Sequence, residues 1–468
     1  MPPRANSAAA RDAAYVLHPY TDHKVQRENG SLVIERGEGV RVWDEAGVDY
    51  IETVAGLWCA SLGFSNERLV QAATAQMRKL PFYHGFTAKA HEPMIELSQM
   101  LVERAPHSAS GPMAKAFFAN SGSEANDTAV KMIWYMNNAL GRPQKKKILS
   151  RIKAYHGVTV AAASLTGLPA NHKLFDLPIA GIHHLSTPHH YHEAHPGETE
   201  EAFATRLAEE LEQTILREGP DTVAAMFAEP VMGAGGVIVP PATYFEKIQA
   251  VLRKYDVLLV ADEVICGFGR TGSYWGSQTF DVRPDILTCA KALSSAFLPI
   301  SAVLVNDRVL EGLTEGSHAI GTWGHGYTYS GHPVSAAVAI ETLRIYDEMD
   351  IVSHVRRVGP HLQAELRRRF DGHPLVGEVR GVGIVAAVEL VADREARRNF
   401  DPARKIGARL VALGQENGLI LRSLPNDSIA FSPPLVIEEN EVNEMLDRFG
   451  RALDALAVEI RREGLTAV

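Results

Sequence analysis

An acid and a lysine stand 29 residues apart in this chain, each at the end of an apolar run. The runs are Val257-Leu258-Leu259-Val260-Ala261-Asp262 and Asp285-Ile286-Leu287-Thr288-Cys289-Ala290-Lys291. Each reads as a buried strand that delivers one charged side chain at its carboxyl end, the edge where open α/β sheets place their ligands. A lysine can condense with an aldehyde to a Schiff base, and a carboxylate can hold a pyridine nitrogen protonated. The pair therefore suits chemistry on a pyridoxal-type cofactor. By themselves the two charges fit a structural ion pair between strands better.

The surrounding residues favour the chemistry. Ser121-Gly122-Ser123-Glu124 follows a strand and opens a helical run to Leu140. It offers a glycine for close approach, hydroxyls, a capping acid and the positive end of a helix dipole, which together suit a phosphate. Tyr155 follows the strand Ile148 to Ile152, and by itself an aromatic ring at a strand end reads as core. Val264 lies two residues beyond Asp262, on the same side of an extended chain.

The stretch Asp262-Glu263-Val264-Ile265-Cys266-Gly267-Phe268-Gly269-Arg270-Thr271-Gly272, followed by Lys291, resembles the signature region of class III aminotransferases. These are fold type I enzymes that use pyridoxal 5'-phosphate. Asn120-Ser121-Gly122-Ser123-Glu124-Ala125, Tyr155-His156-Gly157, Glu229-Pro230 and Thr328-Tyr329-Ser330-Gly331-His332-Pro333 come in the family's order, so the resemblance spans nearly the whole chain. It implies Lys291 as nucleophile and proton carrier, and Asp262 as partner of the pyridine nitrogen. It further implies Ser121, Gly122, Ser123, Tyr155, His156, Glu229 and Val264 around the cofactor. Thr328 would be a phosphate ligand given across a homodimer, with dimer and tetramer both open.

One departure bears on substrate. Many relatives that use amino acids at both stages carry an arginine two residues before paired prolines. Here Ile429-Ala430-Phe431-Ser432-Pro433-Pro434 has Ala430 in that place. Leu421-Arg422-Ser423 instead resembles the amine:pyruvate (omega) branch, in which a mobile arginine binds a carboxylate in one half-reaction and swings out in the other. Trp58 matches that branch too. With Tyr20, Phe86 and Tyr155 it implies an aromatic pocket for an apolar or long-chain amine, with pyruvate as acceptor. An aminomutase, racemase or decarboxylase of the same family would use the same lysine and acid. Ala292 and Ala296 replace glycines common in relatives.

The elements that must position these residues can be read from pattern. Residues 1–60 give an amino-terminal arm and a short alternating meander through Leu32 to Ile34, Val40 to Trp43 and Tyr50-Ile51. Residues 61–335 form the large domain, in which strand signals at Ala116 to Phe118, Lys147 to Ile152, Val223 to Ala228, Val257 to Ala261 and Ile286 to Thr288 alternate with helices. That order predicts an α/β fold with a mostly parallel sheet. Phe203, Leu207, Leu211 and Ile215 make one helical stripe; Tyr244, Ile248, Val251, Leu252 and Tyr255 make another. Residues 336–468 give a separate α+β layer, the small domain, which the meander joins in the resembled family.

Composition excludes other classes. Of 468 residues, 46% are hydrophobic and 22% charged, as in ordinary globular proteins. The net charge of −9, with no basic cluster larger than Lys145-Lys146-Lys147, argues against nucleic acid. No apolar run approaches the ~20 residues of a membrane helix. The three cysteines, Cys59, Cys266 and Cys289, fit free thiols in a reducing cytoplasm. His183, His184, His189, His190, His192 and His195 lack helical ligand spacing and a clear acid partner, so they read as a loop under the dimer interface, with no metal.

Overall fold

Three short strands, β1 (Ile34–Glu38), β2 (Arg41–Asp44) and β3 (Asp49–Glu52), form the amino-terminal meander in the computed structural model, which describes residues 7–465. Gly47 makes the turn between β2 and β3 at φ +82°, where a side chain would add strain. The alanine-rich arm read before the meander is helical over Ala8–Tyr15, and its first residues, Met1 to Asn6, lie outside the described residues. None of this helix is buried. Alanine's helix propensity and the Ser7 side chain, which caps the Ala10 amide, account for it.

The large sheet contains β4 (Met113–Ala119), β5 (Lys147–Arg151), β6 (Ile182–Leu185), β7 (Val223–Ala228), β8 (Leu258–Asp262), β9 (Ile286–Cys289) and β10 (Ser301–Asn306), in the order β4-β10-β9-β8-β7-β5-β6. Only β10 runs against its neighbours. Alternate side chains go to opposite faces. Leu149, Met226 and Leu259 meet Phe203, Leu207 and Leu211 of helix Glu200–Glu218 and Ile248 of helix Tyr244–Lys254. Ile148, Phe227 and Val260 meet Ala125, Ala129 and Ile133 of helix Gly122–Ala139. Both faces are covered, which is why these strands read as unbroken apolar runs.

Helix Pro333–Glu348 runs through residue 336 and packs on helices Glu67–Lys79 and Glu92–Arg104. The small-domain layer opens on a hairpin, β11 (Val376–Val382) and β12 (Val385–Leu390), turning at Gly383 with φ +55°. Next come β13 (Leu419–Ile420), β14 (Arg422–Leu424) and β15 (Ser428–Phe431), with a closing helix Glu439–Glu463. A second sheet has the order β11-β12-β15-β14, whereas β13 pairs in parallel with β3 and ties the meander to this layer. Among the described residues no helix is long and apolar enough to cross a membrane.

Candidate active site

The strand ends converge on one cavity of about 510 Å³. Tyr20, Trp58, Gly122, Ser123, Tyr155, His156, Glu229, Asp262, Val264, Lys291 and Arg422 all line it. β8 ends on Asp262 and β9 ends two residues before Lys291, with Asp262 paired to Thr288 across the strands. Ser121, Phe86 and Thr328 do not line it. Ser121 caps the helix by accepting from the Glu124 amide. Phe86 and Thr328 are exposed, and a Cβ on Gly326, two residues before Thr328, would touch the Phe86 ring at 3.1 Å.

Asp262 and Lys291 do not pair as a structural salt bridge. The Asp262 carboxylate is nearly enclosed, and its Oδ2 lies 2.8 Å from His156 Nδ1 and accepts from Asn126 Nδ2 at 2.8 Å. Its Oδ1 accepts from the Val264 amide. Asn126, which the sequence reading passed over, also donates to the His156 carbonyl and accepts from the Thr288 hydroxyl. It occupies the inward face of its helix with Ala129, Val130 and Ile133 at the following i+3, i+4 and i+7 positions, a spacing that marks it as core-facing.

Lys291 has φ +51°, a left-handed conformation that is costly for a side-chain-bearing residue and concentrates at functional sites. Burial holds its ammonium below the ordinary range, opposed by Cys59, Asp262 and Glu229. Ala296, in a place where relatives commonly have glycine, also adopts φ +64°. Glu229 is a buttress. Its Oε1 accepts from the Tyr155 amide at 3.0 Å and its Oε2 from the Gly233 amide at 3.0 Å, while burial raises its acid above the usual carboxylate range.

At the opposite wall, Arg422 starts β14 directly across from Ala430 of β15. Its Cζ lies 5.3 Å from the Trp58 ring centroid, and its buried Nε has no hydrogen-bond partner. Burial lowers its pKa, against Tyr155, Tyr20 and Glu52. Lys291 Nζ lies 5.5 Å from the same indole. Tyr20 is more exposed, and its hydroxyl accepts from Asn171 Nδ2 at 2.7 Å.

The donor set fits a flat group with an anionic tail, a basic ring nitrogen and an aldehyde. The first-turn amides of Gly122 and Ser123 have no partner within the helix, as helix starts require. The backbones here leave no room for side chains. A Cβ on Gly122 would meet the Val264 methyls at 3.0 Å, and one on Gly157 would collide with Ser123 Oγ. The enclosed carboxylate of Asp262 and the amine of Lys291 occupy the same cavity.

The histidine-rich stretch lies elsewhere, and not as a free loop. His189 Nε2 is 2.8 Å from Glu378, and His192 bonds to Glu389. Arg380 pairs with both carboxylates at 2.7 Å. His189, His192 and Glu389 come close enough to share an ion. These ion pairs and hydrogen bonds fasten the large domain to β11 and β12, while the buried His189 Nδ1 is left without a partner.

This fold and cavity are those of a fold type I, pyridoxal phosphate-dependent transferase, and the chain belongs to the class III aminotransferases, whose family model, Aminotransferase class-III, matches residues 23–453. Among solved structures it is similar to the omega transaminase of Pseudomonas jessenii in complex with PMP, at 55% identity and a TM-score of 0.95, covering 97% of this chain and 99% of that one. A thermostable omega transaminase variant, W58G, engineered for asymmetric synthesis of enantiopure bulky amines, is 54% identical with a TM-score of 0.94, over 97% and 100% of the two chains. Among curated proteins, the mitochondrial gamma aminobutyrate transaminase 1 of Solanum lycopersicum is 50% identical over 94% of this chain and 84% of its own.

Proposed function

We propose that this aminotransferase moves an amino group from an amine or omega-amino donor to pyruvate, releasing alanine and an aldehyde or ketone in a two-stage exchange. The observation that carries this reading is Arg422. A guanidinium with an unmet buried N–H stands at the cavity wall, while Ala430 opposite it offers no second cation. A single arginine on a long flexible stem can clasp a carboxylate and withdraw for an uncharged amine.

Bound pyridoxal phosphate supplies the electron sink that makes the exchange possible. Gly122 and Ser123 would hold its phosphate by backbone amides, Tyr155 and Val264 would flank its ring, and Asp262 would keep the ring nitrogen protonated. Asn126 and His156 fix the Asp262 carboxylate in place by hydrogen bonds. Lys291 would anchor the group covalently and, once displaced, carry a proton to and from the substrate carbon at Nζ. Its lowered pKa eases the loss of the proton it must give up first. Trp58 would form the pocket wall, which agrees with the bulky-amine purpose stated for the W58G relative.

Thr328 and Phe86, both exposed and outside the lining of this cavity, are proposed to complete the site of a second copy in a homodimer. The unpaired cysteines support a reducing compartment such as the cytoplasm. The deciding experiment is a donor panel of 4-aminobutyrate, a diamine, a β-amino acid, taurine and an aryl-alkyl amine, each with pyruvate and separately with 2-oxoglutarate. Alanine release with several donors is expected; turnover with 2-oxoglutarate alone would overturn the pyruvate assignment.

A further inference from the structure

Glu52 ends β3, is 4% exposed, and sits across from Ile420, two residues before Arg422. Its carboxyl accepts the backbone N–H of Gly56. That amide belongs to the tight loop that delivers Trp58. Ala55, Gly56 and Trp58 stand at φ +47°, +69° and +60°, so two side-chain-bearing residues of the loop hold a left-handed backbone that its surroundings must sustain. Trp58 is 3% exposed, yet its indole Nε1 has no hydrogen-bond partner. The ring is therefore held by packing, against Val231, Ile265 and Leu424, and by the loop backbone.

We infer that Glu52 is a positioning residue for the substrate pocket: by holding the Ala55–Trp58 loop through Gly56, it sets how Trp58 stands against Arg422 and hence how much bulk the pocket admits. The inference rests on the proposed roles of Trp58 and Arg422. Burial pushes the Glu52 acid up to about 8, against hydrogen bonds from Gly56 and Val54 and the attraction of Arg422. That shift favours the neutral acid, for which glutamine is a close mimic. Glu52→Gln keeps an acceptor for Gly56, whereas Glu52→Ala removes it.

The test compares holoenzyme of the wild type, E52Q, E52A and R422A in single-turnover half-reactions with L-alanine and with 1-phenylethylamine, alongside tryptophan emission. E52A is expected to weaken apparent binding of both substrates about tenfold, the scale of one lost buried hydrogen bond, with the limiting rate little changed. Its emission should shift, and the shift should vanish in a W58F background. E52Q should restore binding and emission. If E52A does not fold, Glu52→Asp, too short to reach Gly56, takes its place with the same expected outcome. Unchanged binding, a fall in limiting rate alone, or E52Q no better than E52A would overturn the inference. R422A separates the two readings. Equal loss in both its half-reactions would remove the carboxylate clamp, while the Glu52 result would still be decided by the amine and by the emission.

Discussion

Replacing Arg422 by alanine should split the two half-reactions. The guanidinium is half-buried, carries an unmet N–H and lines the cavity, so on the proposed reading a substrate carboxylate would supply the charge-assisted partner it lacks. Such a bond is worth ~1.5 to 3 kcal/mol, which is roughly ten- to a hundredfold or slightly more in the specificity constant for alanine and pyruvate. For an uncharged amine two effects oppose. Removing the cation relieves the burial that already depresses its pKa, but it forfeits the contact with the Trp58 face at 5.3 Å, worth about 0.5 to 1 kcal/mol. The amine half-reaction should therefore change by only a few fold. Arg422→Leu, which restores apolar volume without charge, should match or better the wild type with a bulky amine while keeping the loss with alanine. Stopped-flow spectra of each half-reaction give the numbers. Equal losses in both stages would show the arginine to be structural, and no loss with alanine would place the carboxylate elsewhere.

Lys291→Ala should abolish turnover and remove the cofactor that borohydride fixes to the wild-type protein; normal transamination would disprove its assignment. Asn126→Leu leaves the Thr288 hydroxyl and the His156 carbonyl without their partner and takes one donor from Asp262. It should cost about 3 to 5 kcal/mol in urea unfolding, on the scale of ~1 to 3 kcal/mol for each stranded buried group, and should weaken cofactor binding. A loss below 1 kcal/mol would refute that accounting. Glu263 is fully enclosed, and burial pushes its acid up to about 7 from 4.5, against donors from Ser277 and Gly276. A raised folded pKa means that the folded state holds the proton more tightly. Its contribution is present in full below pH 4.5 and is lost as pH rises through 7, by about 3 kcal/mol. Relative to Glu263→Gln, the wild type should lose stability between pH 5 and 8; parallel curves would contradict the shift.

Asp262 and Lys291 were legible because strands buried on both faces leave unbroken apolar runs, and a charge at the end of such a run must point into a crevice. The same logic failed for β6, whose Ile182-His183-His184-Leu185 carries two histidines at the sheet edge, and for β10, whose antiparallel direction no local pattern encodes. Asn126 was hidden as one polar residue among several in a helix opening, although the apolar residues behind it marked its face. Glu52 was lost because the meander was read only as far as Ile51. The strained loop at Ala55–Trp58 leaves no mark in composition, since its cost is met by contacts made far along the chain. The histidine network is of the same kind, with Glu378 lying 189 residues beyond His189 and Glu389 lying 197 beyond His192.

At Leu421 the chain changes sheets: Leu419 and Ile420 are hydrogen-bonded beside β3, while Arg422 to Leu424 lie beside β15. Arg422 is thus mounted on a seam clamped from both sides, where the main chain has no slack to give. Whatever travel the guanidinium makes must come from rotation about its own side-chain bonds. Rotamer changes of this sort take picoseconds to nanoseconds where the side chain is free, whereas loop and domain rearrangements take microseconds or longer. On the role proposed for Arg422, alternation between charged and uncharged partners would then need no movement of the main chain, leaving the tempo to proton transfer and product departure.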